Sequence, residues 1–159
     1  LKNNPLLSRT ATFLLLLIMA SSAFAGGRQR AEVIVPDANR ASYQTYGYAP
    51  AIKTGDYIHV SGVIAVAIGE GSPEEQYAAG FKYALEQIDA ILKEAGASLD
   101  DVIKINSYHT DMESQLLIAA NLRKELMSLP HPAWTAVGTT GLAIPNGLTE
   151  IEVVAYIGK

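Results

Sequence analysis

The sequence predicts an α+β domain in which two helices pack on one face of a single sheet. Two segments repeat apolar residues at spacings of three and four, which is the period of a helix buried along one side. Six other segments are short and apolar, or alternate apolar with polar residues, as strands do. Along the chain these segments form three strands, a helix, a strand, a helix and two strands.

The first 25 residues have the three parts of a secretory signal peptide. Lys2 and Arg9 give a basic start, an apolar run follows over residues 11–20, and Ala23-Phe24-Ala25 has the pattern that signal peptidase cleaves. A permanent anchor is the alternative, but this run is shorter than the roughly 20 apolar residues that cross a bilayer. We therefore expect cleavage after Ala25, no stable membrane anchor after cleavage, and a periplasmic or secreted protein.

The charge and length of the remaining chain exclude several classes of protein. Its length fits one domain that buries its own core. The whole chain has a net charge of −4, and loss of Lys2 and Arg9 with the signal peptide makes that charge −6. An acidic domain repels phosphate backbones, so we expect no nucleic-acid partner. The chain has no cysteine, so core packing or assembly must stabilise it in place of disulfides.

The first part of the domain predicts a flexible start, a strand and a loop. Residues 26–32 are polar and are expected to be mobile, and residues 33–35 predict a short strand that ends before Pro36. Residues 36–50 are rich in Asn, Ser, Tyr and Gly, which are frequent in loops. This predicted loop carries three tyrosines, which are Tyr43, Tyr46 and Tyr48.

A β-hairpin is predicted next. Thr54-Gly55-Asp56 has the residue types of a tight turn and lies between predicted strands at residues 51–53 and 57–61. Ser61-Gly62 then closes or bends the second strand.

The first helix has the clearest boundaries in the sequence. Ser72 is placed to cap its start, Pro73 stands at its first position, and Glu75 follows three residues after the cap. Gly96 ends the helix. The expected buried stripe is Tyr77, Phe81, Ala84, Leu85, Ile88, Ile91, Leu92 and Ala95.

The last part predicts a strand at residues 101–110, a second helix, and strands at 133–139 and 149–157. The second helix starts from an Asp111 cap, is ended by Pro130, and has an apolar stripe of Leu116, Leu117, Ala120, Leu126 and Met127. The last strand has apolar residues on one face, but Glu150, Glu152, Val154 and Tyr156 on the other. Such a mixed face in a domain without disulfides indicates a contact between subunits.

Four stretches of the chain carry a resemblance to a known family. They are GDYIHVSG at residues 55–62, DVIK at 101–104, Pro132-Ala133 and EIEV at 150–153. In order and spacing they resemble the YjgF/RidA family of reactive-intermediate deaminases, also called the L-PSP endoribonuclease family. The resemblance implies a chorismate-mutase-like domain at residues 33–159, with one mixed sheet. It further implies a homotrimer with a small-molecule ligand in each cleft between subunits.

The resemblance also implies a chemistry, which is the hydrolysis of small enamines and imines to a 2-oxo acid and ammonia. This reaction needs no metal and no cofactor. In active members an arginine after the Pro-Ala pair grips the substrate carboxylate, but here that position is Trp134. An indole carries no charge, so it cannot replace this ion pair. Trp134 is then either an apolar plug of the cleft or a stacking platform for an aromatic or cationic ligand.

The other family positions carry over better. Glu150 matches the glutamate that positions the attacking water, and it is the catalytic residue that we predict. Tyr48, Ser61 and Gly62 match positions that line the cleft, and with Trp134 they are the predicted substrate-binding residues. Glu150 could instead be a charge at the rim of the cleft. The three histidines, His59, His109 and His131, lack the spacing of metal ligands, so no metal site is expected.

Two functions are compatible with these residues. In the first, an exported trimer hydrolyses small enamines or imines with an altered substrate choice, and its substrate lacks the usual carboxylate. In the second, the trimer binds a small molecule without turnover, because the change from arginine to Trp134 has removed catalysis.

Overall fold

The computed structural model describes residues 26–158. The predicted signal peptide lies outside the described residues. The segment at 26–32, which the sequence predicts to be mobile, contains a helical turn, Gly27–Arg30, and the first residue of a strand. Within residues 26–158 no helix is both long enough and apolar enough to span a membrane.

Six strands of the described chain form one mixed sheet, as predicted. Their order in the sheet is β1-β2-β3-β6-β4-β5. Strands β4 and β5 run parallel, whereas β2–β3, β3–β6 and β4–β6 are antiparallel pairs. The strands are β1 (Glu32–Ile34), β2 (Ala51–Thr54), β3 (Tyr57–Ala65), β4 (Val102–His109), β5 (Ala133–Gly138) and β6 (Thr149–Tyr156).

Three helices accompany the sheet: α1 (Arg40–Tyr46), α2 (Pro73–Glu94) and α3 (Met112–Leu126). The predicted start of α2 is confirmed. Ser72 Oγ accepts a hydrogen bond from the Glu75 N–H at 3.2 Å, and Glu75 Oε2 accepts one from the Ser72 N–H at 2.8 Å. All eight residues of its predicted apolar stripe are buried. The fold class is therefore the one that the sequence predicts.

Gly80 explains how closely α2 approaches the sheet. A Cβ atom at this position would lie 1.7 Å from the carbonyl oxygen of Val66, just beyond the end of β3. Only glycine fits there, so its low helix propensity is outweighed by the close contact of helix and backbone.

The predicted loop at residues 36–50 is wrong, because most of it is helical. A 3₁₀ turn, Asp37–Asn39, leads directly into α1. Gly47 ends α1 in the left-handed conformation, with φ of 70°, and its N–H donates to the carbonyl of Tyr43. The helix has no buried residue, so it lacks the apolar stripe by which α2 was found.

The predicted apolar stripe of α3 is confirmed only in part, because Met127 is buried and Leu126 packs against the core. Leu117 is 70% exposed, and the helix ends at Leu126, before Pro130. The buried residues of α3 are instead Gln115, Ala119 and Arg123, which recur at a spacing of four. Two of these three are polar because α3 covers polar side chains of the sheet. Apolar periodicity alone therefore does not locate the fully buried side of this helix.

The two faces of the sheet differ sharply. The face under α2 and α3 is buried and includes Ile58, Ile105, Ile151 and Val153. The opposite face carries Glu150 and the other mixed residues of β6, all of them exposed or half-buried. The functional residues predicted from the sequence divide between these two faces.

Candidate functional site

A bulge in β3 shapes the predicted binding segment. The pairing of β3 with β6 shifts register between Val60 and Val63, so Ser61 and Gly62 interrupt the regular ladder. Ser61 Oγ donates to the carbonyl of Ala49 at 2.7 Å, and the Ser61 N–H donates to the carbonyl of Pro50 at 2.9 Å. These two bonds tie the chain that follows Tyr48 to the bulge.

Glu150 lies against this bulge. In the sheet it stands between Ile64 of β3 and Tyr108 of β4. A Cβ atom at Gly62 would lie 1.9 Å from Glu150 Oε1, so glycine is what allows the carboxylate to occupy this place. Glu150 is half-buried, and no hydrogen bond or ion pair holds its carboxylate among the described residues. It is therefore free to accept a proton or a hydrogen bond from a ligand.

A cavity of about 580 Å³ opens beside Glu150. It brings together four of the five predicted site residues, Tyr48, Ser61, Gly62 and Glu150. Helix α1 adds Ser42 and Tyr46, which the sequence did not indicate because the helix itself was not predicted. The remaining wall is apolar and consists of Ile64, Ala143 and Ile144. The cavity thus offers one carboxylate, several hydroxyl groups and an apolar side.

The neighbouring carboxylate, that of Glu152, is hydrogen-bonded within the sheet. Its Oε1 accepts a hydrogen bond from Asn106 Nδ2 at 2.5 Å, across the β4–β6 pair. This bond occupies one oxygen of the carboxylate within the sheet. Glu152 does not line the cavity of about 580 Å³, although both glutamates border a second cavity with Tyr108. Of the two glutamates, Glu150 is the one that lines the cavity of about 580 Å³ with no bond to its carboxylate among the described residues.

Trp134 lies on the other face of the sheet from Glu150. Its Nε1–H donates to Ser107 Oγ at 2.8 Å, and Ser107 is buried under the helices. Its neighbour in the ladder is Ile105, a core residue. Trp134 bonds to Ser107, whereas Glu150 pairs with Tyr108, the next residue of β4. Successive side chains of a strand point to opposite faces, so Trp134 and Glu150 lie on opposite sides of the sheet. One chain alone does not bring Trp134 to the predicted pocket.

Arg123 of α3 stacks on Trp134, with its Cζ atom 4.5 Å from the centre of the ring. The side chain is only 8% exposed, and its Nε and Nη1 atoms are buried without a hydrogen-bond partner. Burial lowers the pKa of this guanidinium. Arg123 is not among the residues predicted from the sequence, although its spacing of four from Ala119 places it on the buried side of α3.

A chain of polar side chains extends from Trp134 through the core. Ser107 Oγ lies 2.9 Å from His109 Nε2, and His109 Nδ1 lies 3.1 Å from Thr149 Oγ1. Thr149 Oγ1 in turn lies 2.9 Å from the hydroxyl of Tyr77 on α2. Ser107, His109 and Thr149 are almost fully buried, so their bonds to one another replace the bonds to water.

Burial changes the acidity of this network. It raises the pKa of Tyr77 to about 12, and the hydrogen bond to Thr149 offsets this only in part. It lowers the pKa of His109, against a smaller opposing contribution from Gln115. Both groups are thus kept neutral. Although Ser107 and His109 are within hydrogen-bond reach, neither is accessible as a nucleophile or base.

The fold and the pocket define a class of protein. It is a small α+β domain in which the carboxylate of Glu150 lies beside a β-bulge, on the uncovered face of the sheet. The family model described as "Endoribonuclease L-PSP" matches residues 39–157. The chain belongs to this family, which is the YjgF/RidA family.

Individual relatives agree with this assignment. RutC family protein YjgH of Escherichia coli is 36% identical over 126 residues, which are 78% of this chain and 93% of the relative. A solved structure of a protein named YjgH matches with a TM-score of 0.68 and 33% identity, over 81% of this chain and 98% of that one. Rv2704 of Mycobacterium tuberculosis, described as a member of the YjgF/YER057c/UK114 family, matches with a TM-score of 0.66 and 27% identity, over 80% and 99%.

Proposed function

We propose that the protein is a cofactor-independent hydrolase that deaminates small imines or enamines in the pocket beside Glu150. One observation carries this proposal, which is the half-buried, unpaired carboxylate of Glu150 held over Gly62 at the wall of a cavity. A carboxylate in that position can accept a proton from water and return it. Family membership supports the same reaction class.

The proposed reaction needs no group beyond water and this carboxylate. Glu150 accepts a proton from water while the water oxygen bonds to the carbon of the C=N group. Glu150 then returns this proton to the nitrogen, which gives a carbinolamine. It next accepts the proton of the new hydroxyl group and passes it to the nitrogen as the C–N bond breaks, so that a carbonyl compound and ammonia leave. An enamine first gains a proton at carbon and loses one at nitrogen to give the same imine. Tyr48 and the apolar wall hold the substrate against the bulge.

We further propose that the protein is exported and forms a trimer. The amino-terminal pattern of residues 1–25 supports export to the periplasm or the medium. The uncovered face of the sheet supports assembly, because it exposes Tyr57 and Tyr156 as a ring pair with centroids 5.0 Å apart, beside partly buried residues of β6. A symmetric trimer would cover this face.

RNA is a poor candidate substrate despite the family description. The chain has a net charge of −4, and the only charged side chain among the described residues that line the pocket is Glu150. A site that cleaves RNA must attract phosphates, which a carboxylate repels.

The test is hydrolysis of freshly generated 2-iminopropanoate and of a carboxylate-free imine by the chain from Gly26 onward. We expect Glu150→Gln to lower kcat by about 100-fold or more, because it removes the proton acceptor. Glu152→Gln is the matched control on the same strand and face, and its loss should be much smaller. If the wild-type chain binds either compound without accelerating hydrolysis, the alternative of a non-catalytic binding trimer is correct instead.

A further inference from the structure

Among residues 26–158 the guanidinium of Arg123 has no counter-charge. It is only 8% exposed, and its Nε and Nη1 atoms have no hydrogen-bond partner in the described chain. Buried cations of proteins are normally paired with an anion, because a charge removed from water without a partner is strongly unfavourable. Burial also lowers the pKa of Arg123. Within the part of the chain that the structure describes, the side chain thus lacks an anionic partner.

The surroundings of Arg123 fix it in place rather than release it to solvent. The ring of Trp134 lies under the guanidinium, and the bond from Nε1 to Ser107 orients that ring. Trp134 belongs to β5, which is the last strand of the sheet, and Arg123 belongs to the last turn of α3. The stack therefore lies at the margin of the domain, on the edge strand of the sheet.

We propose that Arg123 binds the carboxylate group of a small organic acid on the Trp134 platform. A guanidinium donates two parallel hydrogen bonds to a carboxylate, which fits its planar fork better than it fits a single-atom anion. The cation–π contact with Trp134 uses a face of the guanidinium and none of its in-plane N–H groups. Because Nε and Nη1 are buried, a carboxylate reaches them only when the side chains around them move. The indole of Trp134 thus holds the guanidinium of Arg123 in place, although it stands where active family members have an arginine.

This inference is independent of catalysis at Glu150, since it concerns binding alone. If both proposals hold, the preferred imine carries a carboxylate, contrary to the expectation drawn from Trp134 in the sequence. That conclusion rests on the proposed function, whereas carboxylate binding by Arg123 does not.

Trp134 makes a direct test possible, because it is the only tryptophan of the chain. Its emission is followed while the chain from Gly26 onward is titrated with propanoate, or with the neutral isostere propanamide, at constant ionic strength. We expect a saturable change with propanoate and none with propanamide. Arg123→Met should abolish the change, Arg123→Lys should weaken it, and Lys124→Met, an exposed neighbour on α3, should leave it intact.

Several outcomes would overturn the proposal. These are the absence of a saturable change, an equal response to propanamide, or an unchanged response in Arg123→Met. If propanoate fails to bind and Arg123→Met alters the oligomeric state in sedimentation, the missing anion is a carboxylate of another copy. Should Arg123→Met fail to fold, the comparison of Arg123→Lys with Lys124→Met decides.

Discussion

The carboxylate of Glu150 occupies the space that a side chain at Gly62 would need. The hypothetical Cβ atom at position 62 lies 1.9 Å from Oε1 and 2.8 Å from Cγ of Glu150. Strand β3 thus contributes Gly62, which has no side chain, and its neighbour β6 contributes the carboxylate of Glu150. This arrangement explains why a β-bulge and a glutamate belong to the same site.

Gly62→Ala should displace Glu150 and reduce hydrolysis far more than it reduces stability. The flexible carboxylate can move aside, so we expect a loss of about 1 kcal/mol in the free energy of unfolding. A displacement of an ångström or more should lower kcat/KM by about 100-fold. Gly141→Ala is the control, because a Cβ there has no neighbour within 4 Å. Equal effects of the two substitutions on kcat/KM would contradict the geometry.

Ser61→Ala should loosen the segment that carries Tyr48. It removes the 2.7 Å bond to the Ala49 carbonyl and keeps the bond from the Ser61 N–H to Pro50. We expect a loss of about 1 kcal/mol in urea denaturation, with an increase in KM because Tyr48 is less well fixed. Ser128→Ala is the control, because this exposed serine is bonded through its main-chain N–H and not through its hydroxyl. It should change neither the stability nor KM.

His109 should make the domain less stable in acid. Burial lowers its pKa below the ordinary value of 6.5, so the unfolded chain binds a proton that the folded chain excludes. The stability that neutral His109 provides is complete above pH 6.5 and is lost as the pH falls through the lower folded pKa.

The measurement for His109 is the free energy of unfolding between pH 8 and pH 5, taken from urea denaturation. His109→Gln should flatten the acid side of this profile, even if it lowers stability at pH 8. His131→Gln, which changes an exposed histidine, should leave the profile as it is in the wild type. A wild-type profile without a decline below pH 6.5 would contradict the prediction.

Co-expression can test whether Glu150 and Arg123 act on one molecule. In a single chain they lie on opposite faces of the sheet, so they can share a substrate only across a contact between two copies. If they do, mixed oligomers of Glu150→Gln and Arg123→Met chains contain some sites with both native residues. Hydrolysis of 2-iminopropanoate should then partly recover relative to either variant alone. Mixed oligomers that stay as inactive as their parents would show that the two residues serve separate sites.

Features that depend on nearby residues could be predicted from the sequence. The start of α2 needs only Ser72, Pro73 and Glu75, and its stripe is apolar throughout, so helix, cap and buried face were predicted together. The hairpin at Gly55 is equally local. The gathering of Tyr48, Ser61, Gly62 and Glu150 at one cavity was anticipated by the resemblance, since no local pattern relates β3 to β6.

Features that depend on contacts between distant residues were missed. Arg123 faces inward because Trp134 lies on the strand beneath it, and apolar periodicity cannot register a buried cation. Trp134 points to the buried face because it pairs with Ile105. The two strands are parallel, so no tight turn in the sequence fixes which of their residues pair. Helix α1 was missed because a helix with no buried residue has no period to detect.

This last property of α1 has a practical consequence. Ser42 and Tyr46 border the cavity, yet no residue of α1 contributes to the core. Substitutions on this helix escape the packing constraints that fix Leu85 or Ile88 on α2. The mouth of the cavity can therefore be diversified, by selection or by design, while the framework that positions Glu150 stays unchanged.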